Sequence, residues 1–154
     1  MSEASYRDMK NGLDPQHLAE RVRDGMSEND RTLRGLDIRF DAVGPGYAKL
    51  RMTVRDEMLN GFGICHGGYI TVLADSAFAY ACNSENEQTV ASGISVDFMA
   101  PGRPADVLTA EATQVFVAGR TGVYDVTVVN QHEELVAVMR GKSYRLKGRA
   151  VVEL

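Results

Sequence analysis

Asp75 is the single ionised group between His66 and Glu85, set among apolar and small residues. On a helix its neighbours three and four positions away are Val72, Thr71, Phe78 and Ala79, and none of them neutralises a carboxylate. An unpaired buried charge is costly, so fold stability alone gives no reason to put one there. Two readings stand. Either backbone or hydroxyl groups hold the carboxylate, for example at a subunit interface, or desolvation strengthens it as a base or nucleophile. Nine positions upstream lies His66-Gly67-Gly68. Glycines at a helix start let a ligand approach the backbone, and the first amides of a helix have no intrahelical partner. Those donors, with the positive end of the helix dipole, suit the oxygen of a polarised carbonyl. The competing reading is a glycine turn with a capping histidine. Asn60-Gly61, six residues before His66, reads by itself as a turn.

The element that positions Asp75 is a helix over 69–82, favoured by its alanines and its length, with Asn83 as a natural stop. It has no charged face, so the rest of the protein is expected to wrap it. Before it, Ile38, Phe40 and Ala42 alternate with charged residues. After Gly44-Pro45-Gly46 the alternation resumes at Ala48, Leu50, Met52 and Val54, which is a β-hairpin with one buried face. Residues 56–63 have loop composition. Four more strands are predicted over 89–100, 107–117, 123–129 and 135–146, separated by Pro101-Gly102-Arg103-Pro104, Ala118-Gly119-Arg120 and Asn130-Gln131-His132-Glu133. Two strands, one enclosed helix and four strands describe an α+β fold, an antiparallel sheet around a single central helix. On one helix, His66 and Asp75 are about 13 Å apart along the axis and cannot meet. A two-fold pair with antiparallel helices would bring the acid of one chain toward the glycines of the other.

The 154 residues are enough for one domain with a real core. Residues 1 to about 13 read as a frayed leader. Asp14-Pro15 then caps a surface helix with Leu18, Val22 and Met26 on one stripe, and 27–34 reads as a polar connection. The chain thus divides into a leader and helix over 1–35 and the main domain over 36–148. A net charge of −4 argues against nucleic acid as a partner. Cys65 and Cys82 are too few for a disulfide framework and have no metal-ligand spacing. The N-terminus lacks the apolar stretch of a secretory signal, and the longest weakly polar run is too short to span a membrane. A soluble, cytoplasmic protein is the expectation.

Leu59-Asn60-Gly61-Phe62-Gly63-Ile64-Cys65-His66-Gly67-Gly68, followed by Leu73-Ala74-Asp75-Ser76-Ala77-Phe78-Ala79, resembles the hotdog-fold acyl-CoA thioesterases, in particular the phenylacetic acid degradation thioesterase family. Val96-Asp97-Phe98-Met99-Ala100-Pro101-Gly102, Thr121-Gly122-Val123-Tyr124-Asp125 and Arg140-Gly141-Lys142-Ser143 carry the same resemblance, which spans roughly residues 33–147. It implies a hotdog fold with an extra N-terminal helix, and a homotetramer built as a dimer of dimers with sites at subunit interfaces. It also implies hydrolysis of phenylacetyl-CoA, hydroxyphenylacetyl-CoA or another small hydrophobic acyl-CoA during phenylacetate degradation. Asp75 would be general base or nucleophile. The Gly67 amide would polarise the thioester carbonyl, His66 would help orient it, and Asn60 would position water or substrate. No metal or tightly bound cofactor is implied.

Gly68 at the helix start is also expected to bind substrate; for the CoA end, Gly119-Arg120-Thr121 offers a cation, a hydroxyl and backbone donors in one turn, with Arg103, Lys142 and Arg145 as further candidates. Each also reads as a solvated turn or surface residue. The acyl pocket is expected to draw on Phe62, Ile64 and Val72, each of which reads equally as ordinary core packing, while Met52, Met58 and Met99 read as core. Neither cysteine has an activating base nearby in sequence. Two other functions fit the same architecture: a hydratase or dehydratase of β-hydroxyacyl thioesters, and a non-catalytic acyl-CoA-binding oligomer.

Overall fold

The computed structural model describes residue 10 and residues 12–154. Residues 1–9 and 11, most of the expected leader, lie outside the described residues. Helix α1 (Pro15–Ser27) begins as the sequence requires. Asp14 is the N-cap and accepts from the His17 amide, with proline in the first turn. Leu18, Ala19 and Val22 are its buried residues. The segment expected to be a polar connection instead contains a short helix, α2 (Arg31–Gly35), capped by Asp30, whose carboxylate accepts from the Leu33 amide. Five residues are too few to show a helical period, which is why only the cap could have announced it.

Strands β1 (Arg39–Gly44) and β2 (Tyr47–Thr53) form the expected hairpin. The register shifts between Phe40 and Ala42, so Asp41 is an extra residue and the inward position passes from Ala42 to Val43. Strict alternation, which had put Ala42 on the buried face, fails at that bulge. The chain then passes through a single 3-10 turn (Asp56–Met58) and a tight loop into α3 (Gly67–Asn83). Strands β3 (Thr89–Phe98), β4 (Val107–Ala118), β5 (Thr121–Val129) and β6 (Leu135–Arg145) follow. The sheet order is β1-β2-β4-β5-β6-β3, every neighbouring pair antiparallel. Helix α3 carries the chain from β2 across to the far edge, and it packs on β2, β4, β5, β3 and β6.

Ile70, Leu73, Ala74, Ala77, Phe78 and Ala81 form the buried side of α3. Small residues let the backbone lie close to the sheet, and Phe78 fills the space left by Gly141 of β6. A Cβ at residue 141 would come within 2.9 Å of that ring. Full burial of a side chain such as Leu73 or Phe78 contributes about 1.5–3 kcal/mol. Met52 and Met58 are core, as expected, whereas Met99 is largely exposed beyond the end of β3.

The expectation that α3 is wrapped on every side needs correction. Gly68 is exposed, and Thr71, Val72, Asp75, Ser76 and Ala79 are only partly buried. These residues recur at helical spacing and mark one open stripe. Beside it runs β3, an edge strand with Val90, Ile94 and Phe98 exposed.

Candidate active site

The loop before α3 is held by its own residues. Asn60 Oδ1 accepts from the amides of Phe62 (2.9 Å) and Ile64 (3.4 Å), an Asx-type turn. The Asn60 amide donates back to the Ile64 carbonyl at 2.8 Å, and Leu59 bridges Cys65. The His66 amide donates to the Met58 carbonyl (2.8 Å) and that of Cys65 to Gly102 (2.7 Å). The loop is therefore fastened on both sides, and it sets the angle at which α3 starts. It places Asn60 in the loop that leads directly into His66 and α3.

His66 is the N-cap of α3. Its Nδ1 accepts from the Gly68 amide at 3.1 Å. The capping and functional readings of this histidine are thus compatible. With Nδ1 accepting, the neutral ring carries its proton on Nε2, which is left to donate outward. The Gly68 amide is engaged by that cap, whereas Gly67, the first residue of the helix, has no carbonyl behind it to accept its N–H. Of the two glycines, Gly67 is the one with an amide to offer a carbonyl oxygen. Its lack of a side chain is also required, because a Cβ there would come within 2.8 Å of the Phe98 ring. Sequence reading missed Phe98. The alternation of Ile94, Val96 and Phe98 puts it on the helix side of β3, but not against a particular glycine.

Asp75 lies on the open stripe, just over two turns from Gly67. It has no hydrogen-bond or ion-pair partner among the described residues, and partial burial alone raises its carboxyl above the ordinary aspartate range. The reading in which groups of its own chain satisfy it finds no support. The nearby hydroxyls are turned to the helix itself: Thr71 donates to the Gly67 carbonyl (2.8 Å) and Ser76 to that of Val72 (2.7 Å). Within one chain, Asp75 and His66 do not come together. Burial pushes the Cys65 thiol up to about 11 and the Cys82 thiol up to about 12, so neither supplies a ready thiolate.

The candidates for the CoA end fall in three places. Arg103 is exposed on the loop whose Gly102 packs against Cys65 and Ile70, so it belongs to the His66 end. Arg120 and Thr121 lie at the other end, in the β4–β5 turn. There the Arg120 guanidinium donates to Tyr144 Oη and the Thr121 hydroxyl donates to the Ala118 carbonyl. Lys142 is exposed on the face of the sheet turned away from α3, between the inward residues Gly141 and Ser143. Arg145, the remaining candidate, is held by Glu85 and Glu87 just beyond the end of α3. Among the described residues no group of three or more His, Cys, Asp or Glu side chains could hold a metal ion, and no helix is long and apolar enough to cross a membrane.

An antiparallel six-stranded sheet packed on one helix in this order is the hotdog fold of thioesterases. The family model described as the thioesterase superfamily matches residues 62–137. The acyl-coenzyme A thioesterase PaaI of Escherichia coli (strain K12) is 46% identical over 132 residues, which cover 86% of this chain and 94% of the relative. The solved structure of the E. coli PaaI protein from the phenylacetic acid degradation operon superposes with a TM-score of 0.87 at 44% identity, covering 88% of this chain and 99% of that one. A Streptococcus mutans UA159 protein solved with acetyl CoA is 30% identical, with a TM-score of 0.67 over 72% of this chain and 91% of that one. The chain belongs to the thioesterase superfamily. Its chemistry is thioester hydrolysis, and neither the dehydratase nor the binding-only reading draws support from these relatives.

Proposed function

We propose that this chain hydrolyses phenylacetyl-CoA, ring-hydroxylated phenylacetyl-CoA or similar aryl and small hydrophobic acyl-CoA thioesters, in a site completed by two protomers. One observation carries the reading: a carboxylate with no partner among the described residues stands on an unwrapped helix face next to an exposed edge strand. A long edge strand with free backbone groups invites pairing with a second copy. Two copies paired along β3 would set their α3 helices antiparallel, with the two-fold axis crossing near Thr71, midway between Gly67 and Asp75. Asp75 of one protomer then reaches the His66–Gly67 corner of its partner. The names of the E. coli relatives support the acyl-CoA substrate and the phenylacetate role. The acetyl CoA in the S. mutans structure supports the CoA end.

In this reading the Gly67 N–H binds the carbonyl oxygen of the thioester, the His66 Nε2–H orients the acyl-CoA, and Asn60 positions water or substrate with its free amide. Asp75 either takes a proton from the attacking water or attacks the carbonyl carbon itself, forming an anhydride that water opens. Both routes break the C–S bond and release CoA as the thiol. Gly68 lends space beside the carbonyl, while Arg103, Arg120, Thr121 and Lys142 are proposed for the phosphates. Residues 36–148 are the catalytic unit, with 1–35 as leader and surface helix. The assembly is a homotetramer made of two such pairs, working in the cytoplasm.

Subunit complementation tests the shared site. Asp75→Asn and His66→Ala are each expected to lose thiol release from phenylacetyl-CoA. Random re-pairing of the two variants restores about a quarter of wild-type activity, because half of the pairs carry one intact site out of two. No recovery in mixed pairs of confirmed stoichiometry would put the site within one chain and overturn the reading.

A further inference from the structure

We propose that Phe98 sets the preference for aromatic acyl groups, as the wall of the acyl pocket beside the Gly67 amide; the assignment rests on the thioesterase reading above. Phe98 is the last residue of β3 and lies on the helix side of the sheet, continuing the line of Ile94 and Val96. The far edge of its ring points at Gly67. A Cβ there would meet Cζ at 2.8 Å, Cε2 at 3.2 Å and Cε1 at 3.3 Å. Yet the residue is 52% exposed in the single chain, so the ring tip lies against Gly67 while its own chain leaves much of the ring uncovered.

A carbonyl oxygen bound to the Gly67 N–H places the carbonyl carbon within a few ångströms of that ring tip. The first atoms of the acyl group must then run along the ring. An arene one methylene from the carbonyl arrives at the distance where offset-stacked or edge-to-face contact is favoured, while a linear chain gains only apolar contact there. Phe62, 90% exposed on the preceding loop, also belongs to this end of α3, but nothing ties its ring to the Gly67 amide. Phe98 therefore acts on specificity through direct contact with the substrate and takes no part in proton transfer.

The experiment compares wild type, Phe98→Leu and Phe98→Ala on phenylacetyl-CoA and butyryl-CoA. Thiol release is read for turnover, and calorimetry with the uncleavable thioethers phenethyl-CoA and butyl-CoA is read for binding. The expected result is a fall of about tenfold in the phenylacetyl to butyryl ratio of kcat/KM. The ratio of thioether affinities falls in parallel and the oligomer mass stays unchanged. Phe98→Leu separates ring contact from bulk, since leucine keeps apolar volume without a π face. A ratio unchanged within about twofold overturns the proposal, as does an equal loss on both substrates with loss of the oligomer, which would make Phe98 a packing residue. Wild type that binds the aromatic thioether through Phe98 without releasing thiol would sink the hydrolase reading and leave the Phe98 assignment intact. Wild type that binds neither thioether overturns both.

Discussion

The two sides of α3 are made from nearly the same alphabet of small and apolar residues, and they do different work. One side, with Ile70, Leu73, Ala74, Ala77, Phe78 and Ala81, is closed against the sheet. The other, with Gly68, Thr71, Val72, Asp75, Ser76 and Ala79, is left partly open, and it holds the carboxylate that has no partner among the described residues. Hydrophobicity of a helix therefore does not say what covers it; on one side the cover is the chain itself, and on the other the proposed second protomer would supply it. Substitutions on the closed side should act on stability and those on the open side on turnover.

The sharpest break between the sides comes from Asp75→Asn. The exchange keeps shape and removes the proposed base or nucleophile, so kcat should fall by about 10³-fold or more while the protein stays folded. Thiol release measured beside circular dichroism checks both halves. Retained turnover would remove Asp75 from the chemistry and erase the distinction.

Leu73→Ala is the matching test on the closed side. Leu73 is fully buried, and its truncation should cost about 2–5 kcal/mol in denaturant unfolding. The remaining folded fraction should keep its kcat within a few fold. A smaller cost would mean that the sheet collapses easily into the space and that the closed side is less tightly packed than its burial suggests.

The elements could be read in advance, but the division of α3 into a closed and an open side could not. The charge-free run of α3 and the single acid within it were plain, as were the hairpin and the four later strands, because periods of 2 and 3.6 survive in a sequence. What the sequence left unread depends on relations between elements. A bulge at Asp41 moves the buried position from Ala42 to Val43, and nothing in the local pattern marks the extra residue. Helix α2 is too short to have a period. The open stripe depends on where the sheet ends, which is a matter of strand order. Asn60 looked like a turn residue and is one, because its side-chain oxygen closes the loop that leads into α3.

The pH dependence draws the comparison within one residue. Burial raises the Asp75 carboxyl, so its ionised form is the one the fold disfavours. Its contribution to stability is whole below the ordinary aspartate pKa of about 3.9 and is lost as pH rises through the higher folded-state value. Activity runs the opposite way, since a base or nucleophile must be ionised. The acid limb of kcat/KM should therefore have its midpoint above about 4. Over the same window the melting temperature of Asp75→Asn should gain on that of wild type, at roughly 2–4 °C per kcal/mol of relieved desolvation. An acid limb at or below the ordinary value, or a variant that melts earlier as pH rises, would show that the carboxylate is stabilised in the working enzyme.

The smallest effect expected is that of Ser76→Ala, and its smallness is informative. Ser76 stands next to Asp75 on the open stripe and is an obvious candidate to assist it. Its hydroxyl, however, donates to the Val72 carbonyl at 2.7 Å, which spends its one proton inside the helix. That carbonyl already accepts the ordinary helical bond from the Ser76 amide, so removing the hydroxyl orphans nothing. Alanine also has the better helix propensity, by about 0.5 kcal/mol. Stability should therefore change by no more than about 0.5 kcal/mol, kcat should stay within about twofold, and the acid limb should not move. A tenfold loss of kcat with an acid limb shifted upward would mean that the hydroxyl turns from Val72 to the ionised Asp75 when substrate is bound. The open side would then carry a pair of groups for the chemistry, and the helix-internal bond would be only the resting position of the second.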